Sequence, residues 1–375
     1  MLDSRIGGME RFVIELSLRL ALAGHSVTVL TGKRPDDIDL EGVRILRSRI
    51  FYVRPFSKFF KYVQLSWIAR KHLKNDRYDA VLAMGHSGLF IKDYVWRASG
   101  IPVPLIRAER LKEKRGLLSR ILMEADYYSQ EVIERACIRK AKYHMYPSVH
   151  VKSLFEDSYG YKSLRHFIPC SGTGSAYGPE EYPAGDLLKN IPEGEIKVLT
   201  VGGLSEKRKG RDVILEAFSL MDLSGITLVC AGGVDATVTG PLKDHFVSLG
   251  NVDHRRMPAL YQGCDMLIFP SIFEGFPNVL LEAASFGMPV IASRIEGIDE
   301  YFTDGEDLIL VEKGDAGALS EKILLLAGSE ELRKRLSENI KKRIKDIDYG
   351  ILAGEFVSFV SSKGPLEINL LKKKA

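Results

Sequence analysis

Short apolar runs of strand length alternate with helical stripes along the whole chain. The strand-like runs fall at 27–31, 80–84, 103–106 and 143–146, and again at 197–201, 227–231, 266–269, 289–292 and 308–311. This alternation predicts βαβ units and parallel sheets. Between Met9 and Ala23 the apolar positions Phe12, Val13, Leu16, Leu20 and Ala23 repeat at helical spacing, and Gly24 stops the stripe. Residues 167–182, rich in Gly, Pro and Ser, read as a linker. The pattern therefore divides into 1–168, 169–348 and a tail, 349–375, that opens with an amphipathic helix at 349–360 and ends in a basic run. There is no internal repeat.

Length agrees with this division, because 375 residues exceed the roughly 250–300 at which one hydrophobic core stops growing. Apolar residues at 45% and charged residues at 27% describe an ordinary globular chain. Cys137, Cys170, Cys230 and Cys264 are far apart and form no Cys-x-x-Cys pair, so buried thiols are expected rather than a zinc site or disulfide framework. No apolar stretch reaches the ~18 residues of a membrane span and the first residues lack the pattern of a signal peptide, which points to a cytoplasmic protein.

The net charge of +4 hides an asymmetry: residues 1–168 carry +12 and residues 169–375 carry −8. Residues 44–74 hold nine Lys/Arg and no acid, interleaved with Phe51, Tyr52, Phe56, Phe59, Phe60, Tyr62 and Trp67. Such a stretch suits peripheral contact with an anionic membrane surface on its inner face, or a solvated basic face whose aromatics turn inward. Nucleic acid is not the expected partner.

Three elements carry candidate chemistry. Gly7-Gly8 precedes the first helical stripe, where glycines let backbone N–H groups approach a phosphate. A strand should precede such a turn, yet Met1 to Ile6 cannot supply both strand and loop. The expectation is a natural start upstream of Met1 or an exposed gap in the first domain. The second element is Val201-Gly-Gly-Leu-Ser-Glu-Lys-Arg-Lys-Gly210, a strand entering a turn with three consecutive cations. The third is Glu274 and Glu282 within Phe-Glu-Gly-Phe-Pro-Asn-Val-Leu-Leu-Glu-Ala-Ala at 273–284. Pro277 suits the first turn of a helix that Gly287 ends. Both glutamates then face the carboxyl end of a strand, where open α/β sheets bind ligands. Taken singly, the cations also describe a solvated cluster and the glutamates two acids favoured by a helix dipole.

In this order, the three elements resemble the retaining glycosyltransferases of family four, the glycosyl transferases group 1. The likeness covers nearly the whole chain and is strongest from Ile196 to Leu326. It implies the GT-B fold, an α/β architecture of two Rossmann-like domains facing a central cleft, with the C-terminal helix crossing back to the first domain. By this resemblance Glu274 matches the first glutamate of the Glu-x7-Glu motif and contacts the transferred sugar, and Glu282 the second, on the ribose. Gly275, Phe276, Asn278 and Val279 border the sugar, Arg208 and Lys209 face the pyrophosphate, and Gly7 and Gly8 form the N-terminal glycine loop. Ala108 to Gly116 and Glu134 to Lys142 add a narrower likeness to lipopolysaccharide core glucosyltransferases.

Two positions depart from the family pattern. Gly203 stands where relatives place an arginine, leaving phosphate neutralisation to Arg208 and Lys209. Arg107 follows the run at 103–106 where relatives carry a histidine, and His86, in Met84-Gly-His-Ser-Gly88, becomes the alternative catalytic group on the acceptor side. Asp37-Ile-Asp39 and Asp346-Ile-Asp348 mimic a metal motif but follow no buried strand, so no metal is expected. The resemblance implies a nucleotide sugar, UDP- or GDP-linked, as co-substrate without a further cofactor, and a glycan or lipid-linked acceptor. A sugar-nucleotide 2-epimerase of the same fold and a non-catalytic sugar-nucleotide-binding protein are the rival readings.

Overall fold

The computed structural model describes residues 8–32, 40–50, 57–98, 100–111, 116–168, 184–202, 204, 207–234, 238–274, 278–345, 347–362 and 367–369. The chain divides into two compact units, Met9–Cys170 with Gly350–Ala375, and a second built on Ser171–Tyr349.

The first unit contains, in order, α1 (Gly8–Leu22), β1 (Val27–Thr31), β2 (Val43–Arg47), α2 (Ser57–Asn75), β3 (Leu82–Met84), β4 (Val95–Arg97), α3 (Val103–Arg110), α4 (Leu117–Lys140), β5 (Tyr143–Met145), α5 (Val149–Tyr159) and β6 (His166–Ile168). Strand β1 pairs in parallel with β2 in a two-stranded sheet. Strands β3, β4, β5 and β6 belong to a separate parallel sheet, and no pairing joins the two sheets among the described residues. Trp96, Tyr146, Phe155 and Phe167, all fully buried, fill the core.

Two expectations are corrected by the structure. The run at 103–106 is the start of α3, not a strand. Pro104 lies in the first turn, where its missing N–H leaves nothing unpaired, and the Val103 N–H is taken by Glu134 Oε2 at 2.9 Å. The strand of this region is instead β4, three buried residues whose Arg97 breaks the apolar run that would mark it in the sequence. Phe167 and Ile168 are not linker but the end of β6, with Phe167 in register with Met145.

The second unit continues with α6 (Gly185–Leu188), β7 (Ile196–Val201), α7 (Arg211–Ser219), β8 (Ile226–Ala231), β9 (Phe246–Ser248), α8 (Met257–Gly263), β10 (Met266–Phe269), α9 (Asn278–Ser285), β11 (Val290–Ser293), β12 (Ile309–Val311), α10 (Ala316–Gly328) and α11 (Glu330–Ile344). Its sheet is parallel, in the order β12-β11-β10-β7-β8-β9. The chain leaves β7 toward β8 and β9, then returns to β10 on the other side of β7. The switch point of the topology therefore lies between β7 and β10. Val198, Leu199, Leu228, Val229, Met266 and Leu267 have no exposed surface, as expected where helices cover both faces of a sheet.

The tail then returns to the first unit. Helix α12 (Tyr349–Ser361) buries Leu352, Phe356 and Phe359. The Phe359 ring lies 5.4 Å from Phe167 and 5.1 Å from Tyr143, centroid to centroid. Strand β13 (Glu367–Asn369) pairs in parallel with β6, completing the order β13-β6-β5-β4-β3. The helix at 349–360 thus packs on the amino-half domain, as its amphipathic pattern and the family likeness led us to expect.

Candidate functional site

The second unit assembles its candidate residues at the carboxyl ends of β7 and β10, the two strands that flank the switch point. Beyond β7 the backbone turns at Gly202, whose φ of +67° only glycine adopts without strain. Gly232, beyond β8, packs so tightly on Gly202 that a Cβ there would stand 2.9 Å from the Gly202 Cα. The turn continues through a short 3-10 segment, Lys207–Lys209, to Gly210 and α7. Gly210 has φ +86°, and a Cβ on it would meet the Pro270 carbonyl oxygen at 2.2 Å. Only glycine lets the cation turn lie against the end of β10.

The two loops are stitched together. Ile272 N donates to the Arg208 carbonyl at 2.9 Å, and Arg208 Nη1 donates to the Phe273 carbonyl at 2.8 Å. The same guanidinium nitrogen lies 3.0 Å from Glu274 Oε1, and the Ser271 hydroxyl donates to that oxygen at 3.3 Å. Arg208 keeps 39% of its side chain exposed and Glu274 keeps 18%, so the pair sits at a rim rather than in the core. Lys209 folds back over the turn, its Nζ 2.9 Å from where a Cβ on Gly202 would be. Two cations and a carboxylate therefore face the end of the sheet, an arrangement suited to a diphosphate carrying a hydroxylated group.

Helix α9 presents the second glutamate. Leu280, Leu281, Ala283 and Ala284 are buried beneath it, which leaves Glu282 half-buried on the other face, along with Asn278 and Val279 in the first turn. Glu282 Oε2 accepts from the Tyr261 hydroxyl at 2.8 Å. Gly275, Phe276 and Pro277 lie outside the described residues, as do Gly7, Gly203 and Asp37, Asp39 and Asp346; Gly8 opens α1.

His86 and Arg107 lie in the first unit and are engaged inside it. The His86 ring stacks on Tyr62, 4.5 Å between centroids, and its Nε2 lies 3.7 Å from Glu134 Oε1. His86 is 6% exposed and Glu134 is not exposed at all. Burial, helped by Lys58, pushes the imidazole down to about 4. Burial pushes Glu134 up to about 7, opposed by hydrogen bonds from Tyr159 and Val103. Arg107 sits inside α3 and pairs with Glu131 of α4 at 2.9 Å. Of the aromatics in 44–74, Phe59 and Tyr62 pack against the core, Trp67 is exposed, and Phe51, Tyr52 and Phe56 lie outside the described residues.

The sequence reading missed Tyr261, Ser271 and Glu134. The one signal for Tyr261 was chemical: a buried tyrosine hydroxyl requires a partner. Cys137, Cys230 and Cys264 are free and buried; Cys170 lies outside the described residues.

Comparison with known proteins covers both halves. Residues 6–171 match the family model described as Glycosyltransferase Family 4, and residues 188–343 match Glycosyl transferases group 1. An uncharacterized glycosyltransferase of Methanocaldococcus jannaschii is 32% identical over 168 residues, 44% of this chain and 47% of that protein. The phosphatidyl-myo-inositol mannosyltransferase of Mycobacterium leprae is 30% identical over 167 residues, 43% of this chain and 45% of that protein. The chain thus matches about half the length of these curated relatives. Among solved structures, WaaG, a glycosyltransferase involved in lipopolysaccharide biosynthesis, superposes with a TM-score of 0.71 at 20% identity, covering 95% of this chain and 97% of that one, a likeness of fold.

Proposed function

The chain belongs to the group 1 glycosyltransferases, with the GT-B fold, and from that premise we propose that it moves a hexose from a UDP- or GDP-linked sugar to a glycan or lipid-linked acceptor, retaining the anomeric configuration, in cell-envelope polysaccharide or glycolipid synthesis. The observation that carries this reading is Arg208, held at once by the Phe273 carbonyl and Glu274 at the topological switch point.

Glycosyl transfer passes through an oxocarbenium-like state in which charge departs on the diphosphate. Cations fixed in place before that charge develops stabilise it without reorganising. Arg208 and Lys209 have this role, assisted by backbone N–H groups at Gly7-Gly8. Glu274 takes hydroxyls of the transferred sugar, with Gly275, Phe276, Asn278 and Val279 beside it, and Glu282 takes the ribose. The donor phosphate helps remove the acceptor proton. On the acceptor side His86 does not act as a surface base; its ring supports the fold of the first unit, and Arg107 acts through α3.

The mannosyltransferase relative is described as acting on phosphatidyl-myo-inositol, a lipid, which favours peripheral contact with an anionic bilayer. The contact surface assigned here is the start of α4 rather than 44–74. Leu117, Leu118, Ile121 and Leu122 are exposed by 77, 72, 54 and 39%, with Arg110 and Arg120 exposed beside them. Apolar side chains flanked by cations suit the interface of an anionic bilayer. No helix among the described residues is long and apolar enough to cross a membrane.

A thermal-shift series with UDP, GDP and ADP sugars, on the chain and on Glu282→Ala, tests the donor assignment. A selective shift lost in the variant supports it and names the base, and no shift with any nucleotide overturns it. With the donor known, an inverted anomeric product would reject retention, and an epimerised donor without acceptor product would establish the 2-epimerase instead.

A further inference from the structure

We propose that Tyr261 is a positioning residue for the nucleotide: its hydroxyl holds one oxygen of Glu282 and so fixes the carboxylate in the orientation that accepts the ribose hydroxyls. The inference rests on the reading of Glu282 as the ribose contact and adds to it a residue from a different element.

Tyr261 is anchored on both sides. It lies on α8, 2% exposed, and its ring stacks on Phe286 with centroids 5.7 Å apart and planes 23° apart. The ring is thus fixed by packing before the hydroxyl makes any bond. That hydroxyl donates to Glu282 Oε2 at 2.8 Å. Glu282 itself is half-buried on a helix whose buried face is made by its neighbours. The bond from Tyr261 ties one of its carboxylate oxygens to a ring that packing already holds. A carboxylate has about four acceptor positions on two oxygens, so a phenol on one oxygen and sugar hydroxyls on the other are compatible. Fixing the acceptor beforehand removes an ordering cost from binding.

Phenylalanine at this position keeps the stack and deletes only the donor. Calorimetric titration with UDP, GDP and the 2′,3′-dideoxy form of whichever binds should be run on the chain, Tyr261→Phe, Glu282→Ala and the double variant, alongside thermal melts. Tyr261→Phe is expected to melt cooperatively, to bind the ribonucleotide about tenfold more weakly, and to lose most of the preference for ribose over dideoxyribose. In the Glu282→Ala background the tyrosine change should cost almost nothing further, because alanine leaves the hydroxyl no carboxylate to hold and both substitutions remove one coupled contact. Wild-type affinity in Tyr261→Phe, an equal loss for both sugars, or full additivity with Glu282→Ala would overturn the proposal. If wild type binds the nucleotide and Glu282→Ala binds it equally well, the ribose assignment fails first. If wild type binds neither nucleotide, the nucleotide-sugar reading fails as well.

Discussion

The turn after β7 and the turn after β3 both leave a parallel strand carrying a group the sequence marked as reactive, yet the two groups sit in opposite environments. At the first, Arg208 and Glu274 meet at a rim with 39% and 18% of their side chains exposed. At the second, His86 and Glu134 meet in the interior, 3.7 Å apart, with neither His86 Nε2 nor Glu134 Oε1 hydrogen-bonded among the described residues. A rim pair stays in contact with water and can exchange partners with an anion at little cost. A buried pair cannot keep two full charges and neutralises instead. Burial, more than residue type, separates a group open to a ligand from one closed to it.

The largest expected effect tests the rim. Arg208→Ala should lower the turnover of glycosyl transfer by roughly 10²–10³, the scale seen when one donor to a developing oxyanion is removed. Arg208→Lys should recover part of that loss, because it restores charge but not the two-way bond to Phe273 and Glu274. Equal turnover in all three proteins would mean that the rim pair is structural, like the interior one.

Gly210→Ala asks whether the rim depends on the backbone beneath it. The new Cβ would need a left-handed conformation and would stand 2.2 Å from a carbonyl oxygen. A loss of about 2–3 kcal/mol in chemical denaturation is expected, with the strain confined to the second unit. A change below about 0.5 kcal/mol would show that the cation turn and β10 are not held together this closely.

The first unit has its own exposed chemistry at the start of α4. Replacing Leu117, Leu118, Ile121 and Leu122 together with serine should reduce partition onto vesicles containing anionic lipid by about a hundredfold, the equivalent of about three to four CH₂ groups withdrawn from the bilayer at ~0.8 kcal/mol each. Transfer to a soluble acceptor should be unchanged. Unaltered vesicle binding would return the contact to 44–74 or abolish it.

The two units also differed in how much the sequence disclosed. In the second, continuous apolar runs marked β7, β8, β10, β11 and β12, and glycine turns marked the loops, because strands buried on both faces leave little choice of residue. The cation turn and both glutamates were legible by spacing. Tyr261 was not, since its bond to Glu282 spans two elements separated by β10 and no local pattern encodes it. In the first unit β4 contains Arg97 and β6 begins at His166, so neither shows a continuous apolar run, and 103–106 was read as a strand because the pairing of Val103 N–H with Glu134 lies 31 positions away. His86 looked available from its glycine-flanked turn; only the third dimension shows Tyr62 over it and Glu134 beside it.

The smallest effect concerns that interior pair. Glu134 is raised from 4.5 to about 7 by burial, so the folded chain holds a proton there that the unfolded chain releases. Its contribution to stability is full below pH 4.5 and is lost as pH rises toward 7. His86 has the opposite sign: lowered from 6.5 to about 4, its contribution is full above pH 6.5 and is lost as pH falls toward 4. The two nearly cancel between 4.5 and 6.5, which hides both in the wild type. Glu134→Gln separates them, since the amide oxygen still accepts from Val103 N–H and Tyr159 while the amide nitrogen takes the place of the carboxylic acid proton beside His86. The variant should match the wild type near pH 4.5 and gain on it with rising pH, by roughly 1–2 kcal/mol at pH 8 in urea denaturation, while its own stability rises from pH 4 to 6.5 with the histidine alone. Parallel curves for the two proteins would mean that Glu134 is ionised in the folded chain as it is in the unfolded one.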